Sequence, residues 1–374
     1  MSGITRFDAT RCRTQVLASV TDFDATRWIS PMKLRRMDQT GSFALVAVQE
    51  ALADASMPPT DSSRTGVVLG TYTAGGQTSY EYLDSLHSRG PTGAPALLFH
   101  STVGNAAASL AAMEFALRGP NVTVSQKEAS GLAAIAESVF LLRERRADVL
   151  IAGGVDAAFD VFFRVHDRFD VMAPGTPDTA LSCPFDRRRN GFVMGEGAFV
   201  FVMARPDALP PGQRIYGHLL GVGTAGAAVN LNAWPDDPGS IVRAMQIALD
   251  DAGLQPGDVD VVFAAANSTP QLDRVEAEAL TAVFSPATLV TSVKGAIGEC
   301  GAAGAASCAA ALLCASSGEV PPIAGLVVAD PCAAALNLAT AATPWPGPVV
   351  LVNSIGSGGS LVSVVMRVGA ASGA

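Results

Sequence analysis

Apolar positions along the chain fall into two kinds of run that alternate. Short, nearly continuous runs of valine, isoleucine and leucine predict strands buried on both faces. Longer alanine-rich segments with apolar residues at helical spacing predict helices. In the first half the predicted strands cover residues 66–70, 121–125, 148–153 and 197–203, and the predicted helices cover residues 42–55 and 129–145. Strands that alternate with helices indicate a mostly parallel sheet with helices on both faces.

A proline-rich segment at residues 205–213 divides the chain, and the same alternation resumes after it. We therefore expect two α/β halves, residues 1–204 and residues 214–374. In the second half the predicted strands cover residues 215–222, 259–264, 348–353 and 361–368, and the predicted helices cover residues 240–252 and 273–284. Residues 128–134 and 299–305 both open alanine-rich helices, which is weak evidence that the halves are structural repeats.

The composition narrows the classes of function. The 374 residues include 25 Lys and Arg against 34 Asp and Glu, a formal net charge of −9. This balance disfavours a nucleic-acid binder, because such a protein needs a basic face. Hydrophobic residues make up 49% of the chain and charged residues 16%, which excludes intrinsic disorder. Because aromatic residues are only 6%, the apolar excess consists of small residues, and we expect a partner to cover part of it.

Neither a signal peptide nor a membrane span is predicted. The first residues carry Arg6, Arg11 and Arg13 and no apolar core of a signal peptide. The uncharged stretches 300–318 and 331–366 contain too many small residues or prolines to cross a bilayer. The six cysteines form no C-x-x-C pair. We therefore expect a reduced, cytoplasmic protein with no structural metal and no cofactor.

Five segments occur in an order that carries a resemblance. They are ADVLIAGGVD at 147–156, CPFDRRRNGFVMGEGA at 183–198, NSTPQLDRVE at 267–276, KGAIG at 294–298 and NSIGSGG at 353–359. This series resembles the β-ketoacyl synthases of fatty acid and polyketide assembly, and its second segment is specific to them. The resemblance implies a thiolase-like α/β fold, in which two pseudo-symmetric halves form five αβαβα layers and a central sheet joins two subunits.

The resemblance also places the family's catalytic positions in this chain. In the family, a cysteine at the start of a buried helix takes the acyl chain as a thioester, and two histidines assist decarboxylation and stabilise the enolate. The matching positions here carry Glu128, Ala265 and Glu299, while a lysine is retained as Lys294. We assign no catalytic residue and expect no condensation by this chain alone. The segment at Glu299 is one residue shorter than the family's G-H-x-x-G-A-A-G, which leaves open which residue faces the site.

One subgroup of the family resembles this combination of losses: the chain length factor of type II polyketide synthases. It forms an obligate heterodimer with an active ketosynthase subunit, and an acyl carrier protein delivers the polyketide. The resemblance implies that this chain is such a non-catalytic subunit, that it shapes the acyl tunnel, and that it binds neither nucleic acid nor membrane. Glutamine is the usual replacement for the cysteine, so Glu128 indicates a more divergent branch, such as one that makes reduced or polyene chains.

Two further functions stay open. Glu128 is either a decarboxylation group, in a subunit that primes synthesis from malonyl carrier protein, or a helix cap or buried pair without chemistry. The third hypothesis is a homodimeric pseudo-enzyme with another binding role. If Glu299 has a structural role only, we expect it to pair with Lys294 or with an arginine. Cys300 follows a former catalytic position, but its alanine-rich surroundings indicate a core thiol.

Large side chains close the family's acyl tunnel in the stretch that matches residues 95–113. Phe99, His100 and Met113 stand there among many small residues, so we expect them to bound the tunnel; the alternative is that they are ordinary core. Ser357 replaces the family's phenylalanine in the loop beside the site entrance. The run of arginines at 187–189 is either a paired or solvated loop or a surface that docks the carrier protein.

The family's opening strand, with its glycine-rich turn V-I-T-G-x-G, has no match before Arg6-Phe7-Asp8. We expect either that the start codon is placed late or that the first strand has been lost. A lost strand would leave an unpaired edge in the sheet.

Overall fold

The computed structural model describes residues 2–56 and 62–369, with only the backbone at Ser2. The strands are β1 (Ser2–Gly3), β2 (Val16–Leu17), β3 (Thr65–Gly70), β4 (Asn121–Val124), β5 (Val149–Asp156), β6 (Gly197–Ala204), β7 (Gly217–Gly226), β8 (Val261–Phe263), β9 (Leu289–Thr291), β10 (Glu319–Val320), β11 (Asn337–Leu338), β12 (Thr343–Pro344), β13 (Val349–Gly356) and β14 (Ser360–Val368). All eight longer strands of the sequence prediction are present, with their ends shifted by a few residues.

The helices begin and end at residues suited to those positions. Asp38 caps α2 by accepting a hydrogen bond from the Gly41 N–H, and Gly318 ends α10 in the left-handed conformation. The α-helices are α1 (Pro31–Leu34), α2 (Gln39–Ala55), α3 (Gly76–Arg89), α4 (Ala106–Glu114), α5 (Ser130–Arg143), α6 (Asp160–Arg168), α7 (Gly239–Ala252), α8 (Pro270–Val283), α9 (Lys294–Ile297) and α10 (Ala303–Ser317). None of the helices in the described parts of the chain is long and apolar enough to cross a membrane.

Two mixed sheets repeat one arrangement. In the first, of order β4-β3-β5-β6, β3 is parallel to β4 and β5, and β6 is antiparallel to β5. In the second, of order β11-β9-β8-β13-β14-β7, β8 is parallel to β9 and β13, and β14 is antiparallel to β13. Strands β4, β3, β5 and β6 thus correspond to β9, β8, β13 and β14. This correspondence confirms that the two halves are pseudo-symmetric.

Two buried helices, α5 and α10, lie between the sheets and contact both of them. Helices α2 and α4 cover the outer face of the first sheet, and α7 covers that of the second. The five-layered αβαβα fold expected from the sequence is therefore confirmed. The central layer is thin because small residues let backbones touch: the Gly131 N–H donates to the Gly301 carbonyl at 2.7 Å, and a Cβ at Gly154 would lie 2.7 Å from the Cα of Ala302. The small-residue excess of the composition is concentrated here.

Candidate functional site

A small cavity lies where the end of β5 meets the turns that lead into α5 and α10. Its volume is about 20 Å³, which is room for about one water molecule. Both halves of the chain contribute to its wall, which includes Tyr72, Glu128, Asp156, Phe162, His166, Met194, Glu299 and Cys300. The structure thus brings Glu128 and Glu299 together, as the resemblance implied for the two substituted positions.

Glu128 lies in a 3-10 turn, Lys127–Ala129, directly before α5, and is 4% exposed. The backbone N–H of Ser357 donates to its Oε2 at 2.8 Å, and the Ser357 hydroxyl lies 3.0 Å from its Oε1. Burial raises the pKa of Glu128, while these hydrogen bonds act in the opposite direction. Helix α5 has no side-chain cap, so the helix-cap interpretation of Glu128 is wrong. Its carboxyl group instead ties the start of α5 to the loop after β13.

Glu299 forms a buried ion pair with the retained lysine. Lys294 Nζ and Asn267 Nδ2 each lie 2.7 Å from Glu299 Oε2, and Lys294 is 1% exposed. The predicted pairing with Lys294 is confirmed. Burial raises the pKa of Glu299 to about 7, although Lys294 favours the ionised form. Glu299 Oε1 has no hydrogen-bond partner among the described residues. Both Glu299 and the following Cys300 line the cavity, so both residues of this segment face the site.

Ala265 follows β8 and is completely buried. Its backbone N–H donates to Glu276 Oε1 at 2.8 Å, and the Asn353 side chain donates to the same oxygen at 3.1 Å. The carboxylate of Asp273 accepts the backbone N–H of Phe185 and of Asn267. These carboxylates therefore hold backbone segments together, and the position of Ala265 offers no side-chain proton donor.

Among the cavity residues that the sequence analysis did not single out are Tyr72, Asp156 and His166. His166 is buried, with Nδ1 2.9 Å from the Phe162 carbonyl and Nε2 3.4 Å from the Tyr72 hydroxyl. The carbonyl can only accept, so Nδ1 carries the proton and Nε2 accepts from the tyrosine. Burial lowers the pKa of His166, which favours this neutral form. The sequence signal was the set of aromatic residues around position 166 on a short amphipathic helix, α6.

Asp156 ends β5 and accepts four hydrogen bonds at Oδ1, from the N–H groups of Tyr72 and Thr73 and the hydroxyls of Thr71 and Thr73. Its Oδ2 has no partner among the described residues, and burial raises its pKa. The residue thus holds the turn after β3 against the end of β5. In this way it positions the Tyr72 side chain, which fills the cavity together with His166.

The cavity holds no activated nucleophile. Among the described residues, Cys300 is the only cysteine that lines the cavity. Burial, together with the nearby Asp156 and Glu299, raises the pKa of the Cys300 thiol well above its ordinary value. The core-thiol interpretation of Cys300 agrees with this. Among residues 2–56 and 62–369, no group of three His, Cys, Asp or Glu side chains is arranged to hold a metal ion.

The residues expected to bound an acyl tunnel lie elsewhere, on the surface of the chain. Phe99 and Met113 are 62% and 69% exposed, and His100 is exposed beside Phe99. The alternative of ordinary core is therefore wrong for these three residues. Phe99 packs its ring against Tyr82 of α3, with 5.6 Å between ring centroids. Any tunnel that they bound must be completed by another molecule.

Ser357, expected in the entrance loop, is buried and contacts Glu128, and its hydroxyl also lies 3.3 Å from Lys127 Nζ. The arginine run behaves largely as a paired loop. Arg188 pairs with Asp186 at 2.8 Å, and Arg189, whose side chain is 7% exposed, pairs with Asp330 at 2.6 Å. Arg189 also lies 3.7 Å from Asp273.

Comparison with known families matches most of the chain. Residues 5–208 match the N-terminal domain of β-ketoacyl synthases, and residues 216–327 match the C-terminal domain. A protein of Streptomyces halstedii named polyketide β-ketoacyl synthase 1 is 34% identical over 345 residues, which cover 88% of this chain and 81% of that protein.

Two solved structures resemble the chain over nearly its full length. The ishigamide ketosynthase/chain length factor has a TM-score of 0.87 and 27% identity, covering 98% of this chain and 91% of that one. A type II polyketide ketosynthase solved with its acyl carrier protein has a TM-score of 0.86 at 24% identity, covering 97% and 91%. The second likeness shows the fold alone.

Proposed function

The chain belongs to the β-ketoacyl synthase family, and on that premise we propose that it is the non-catalytic member of a ketosynthase pair, a chain length factor of polyketide assembly. One observation carries the proposal. The position that matches the family's nucleophile holds Glu128, which accepts a hydrogen bond from Ser357. The cavity beside it has room for about one water molecule. An acyl chain has neither a nucleophile nor a space in this site.

The other two substituted positions support the same conclusion. Condensation requires a thiolate that carries the acyl group and donors that stabilise an enolate. Ala265 supplies only a backbone N–H, which Glu276 already accepts. Glu299 in its ionised form would repel a developing enolate, and Lys294 is engaged in the ion pair. A chain that has lost the nucleophile and both donors keeps the fold of the family but lacks the groups that condensation requires.

An exposed apolar surface supports a partner subunit. Large apolar side chains are exposed on α3, on the 3-10 turn at Ala96–Ser101 and on α4, which pack against one another. They include Tyr80, Leu83, Leu97, Phe99 and Met113. Apolar patches of this kind mark interaction sites. We propose that an active ketosynthase covers this surface, pairs a strand with the β4 edge, and leaves Phe99, His100 and Met113 at the end of the shared acyl tunnel.

Reconstitution tests the proposal. The chain is prepared alone and together with a ketosynthase subunit that has an intact cysteine and two histidines, and each sample receives malonyl-loaded carrier protein. We expect polyketide products only from the pair, together with a stable heterodimer in sedimentation analysis. Condensation by the chain alone would contradict the proposal, and so would a homodimer that does not exchange with the ketosynthase.

Decarboxylation by Glu128 is the function that this experiment must separate from the first. The reaction converts a malonyl thioester and a proton to an acetyl thioester and carbon dioxide, which intact-mass analysis of the carrier protein detects. We expect Glu128→Gln to leave the rate unchanged, because both carboxylate oxygens already contact Ser357. Glu137→Gln, on the helix α5 that follows Glu128, is the matched control. A rate lost only in Glu128→Gln would assign the chain a priming decarboxylase activity instead.

A further inference from the structure

Two carboxylate oxygens of residues on the cavity wall have no hydrogen-bond partner among the described residues. They are Asp156 Oδ2 and Glu299 Oε1, and the two residues are only 1% and 3% exposed. A buried carboxylate oxygen without a partner is strongly disfavoured, because it has lost the hydration that water gives it. The wall therefore offers two acceptors to an occupant that donates hydrogen bonds or carries positive charge.

The other oxygen of each carboxylate is already occupied. Asp156 Oδ1 accepts four hydrogen bonds, all from neutral N–H and hydroxyl groups, and Glu299 Oε2 accepts from Lys294 and Asn267. Asp156 Oδ2 lies against Gly301, where an added Cβ would be 2.4 Å from it. Gly301 follows Glu299 by two residues, so the fold brings the two carboxylates, one from each half of the chain, to the same part of the molecule.

The charged groups around the cavity do not balance. Lys294 matches Glu299 in the ion pair. Lys127 matches Glu128, since its charge favours the ionised form of that carboxyl group. The partners of Asp156 are all neutral, and burial raises the pKa of Asp156 because a charge in this place has no counter-ion. With all three carboxylates ionised, the described residues thus leave one negative charge unmatched.

The cavity also limits the size and the valence of an occupant. Its volume of about 20 Å³ has room for one molecule the size of water. The rest of the wall is largely aromatic and apolar and includes Phe162, Phe192 and Met194. A divalent ion requires about six oxygen ligands, which this wall does not supply. Ammonium and potassium ions carry one positive charge and are about as large as a water molecule, and aromatic rings attract such cations.

We propose that the cavity is a binding site for one water-sized monovalent cation, ammonium or potassium, held by Asp156 Oδ2 and Glu299 Oε1. The ion balances the charge of Asp156 and gives both unpartnered oxygens a partner. It ties the end of β5, in the first half, to the segment between α9 and α10, in the second half. This inference does not depend on the proposed function, because its tests measure ion binding and not condensation.

Urea unfolding in defined salts tests the site. It is measured at pH 8, above the pKa of about 7 of Glu299, in ammonium, potassium or tetramethylammonium chloride at equal ionic strength. Tetramethylammonium is too large for the cavity and is the control. An ion that binds only the folded chain at ten times its Kd should lower the unfolding equilibrium constant about tenfold. An effect of ammonium alone assigns the site to a hydrogen-bond donor, an effect of potassium shows that charge and size suffice, and equal stability in all three salts would overturn the proposal.

Methyl NMR of the methionines locates the ion. Met194 lines the cavity, whereas Met32 is 70% exposed. The Met194 methyl signal should shift as ammonium or potassium is added, with the midpoint found by unfolding, and the Met32 signal should not.

Asp156→Asn removes the unmatched charge but keeps an oxygen that accepts hydrogen bonds, so it should abolish the salt effect and the Met194 shift. Asp178→Asn, at an exposed carboxylate, is the matched control and should keep both. Should Asp156→Asn not fold, the unchanged protein still decides the matter. A Met194 signal that no monovalent cation moves would mean that Asp156 is protonated and the cavity holds only water, and would overturn the proposal.

Discussion

Replacement of Lys294 by methionine isolates the energetics of the buried ion pair. The change removes the ammonium group but keeps an unbranched side chain, so the volume beside Glu299 stays filled. Glu299 then has only the Asn267 amide as a hydrogen-bond partner among the described residues. A buried carboxylate without its cation is strongly disfavoured. The stability lost in Lys294→Met must therefore depend on whether Glu299 is ionised.

The expected magnitude follows from the pKa of Glu299. In the folded chain it is raised to about 7 from an ordinary 4.5, so the folded state holds the proton more tightly than the unfolded state. Stability is therefore greatest below about pH 4.5 and falls as the pH rises to 7, by about 3 kcal/mol from this group. At pH 8 Lys294→Met should cost a further 3–5 kcal/mol or so. At pH 5.5, where Glu299 is protonated, the cost should be about 1 kcal/mol or less.

Urea unfolding of both proteins at pH 5.5 and pH 8 measures these differences. The double variant Lys294→Met with Glu299→Gln should recover at least half of the loss at pH 8, because a neutral amide needs no cation. Lys33→Met is the matched control, since Lys33 forms an exposed pair with Glu114, and it should cost less than about 1 kcal/mol. A Lys294→Met loss that is equal at both pH values, or a double variant less stable than the single one, would refute the reasoning.

Three further results are expected. Ser357→Ala should lower the unfolding free energy by about 1 kcal/mol, because Glu128 loses the hydroxyl but keeps the backbone N–H; a change of several kcal/mol in urea unfolding would contradict this. Glu128→Cys should not form an acyl thioester detectable by intact mass, because the cavity has no room for the chain; an acylated protein would refute the volume argument. In a reconstituted pair Phe99→Ala should lengthen the products, whereas Leu313→Ala, similarly exposed on α10, should not; an unchanged product distribution in Phe99→Ala would remove Phe99 from the tunnel.

Local signals in the sequence were sufficient for the longer strands and for helices α2, α5, α7 and α8, whereas α3, α4 and α6 were not predicted. Apolar runs identified the longer strands because strands buried on both faces need continuous apolar side chains. Lys294 and Glu299 lie five residues apart on either side of a tight turn, so their pairing was among the open interpretations. The resemblance to a family was needed to recognise that Glu128, Ala265 and Glu299 share one site, since they come from different parts of the chain.

Contacts between distant segments were not predictable. Glu128 and Ser357 are 229 positions apart, and no pattern in either segment indicates that one bonds the other. His166 and Tyr72 meet only because Asp156 holds the turn after β3 against the end of β5. The size of the cavity depends on these side chains together. No local pattern in the sequence links Phe99 to a tunnel either, so that expectation came only from the family resemblance.

The strand order of the second sheet also constrains how the protein is made. Strands β13 and β14 follow every other strand in the described chain, yet they occupy the middle of the sheet, between β8 and β7. During synthesis, which proceeds at about 5–20 residues per second, β7 must wait over a hundred residues for its neighbour β14, and β8 must wait over eighty residues for β13, although its other neighbour β9 is made sooner. Helix α5, which is made earlier and contacts β7, β13 and β14, offers the waiting strand β7 an apolar surface. We therefore expect α5 to hold β7 in place until β13 and β14 have been made.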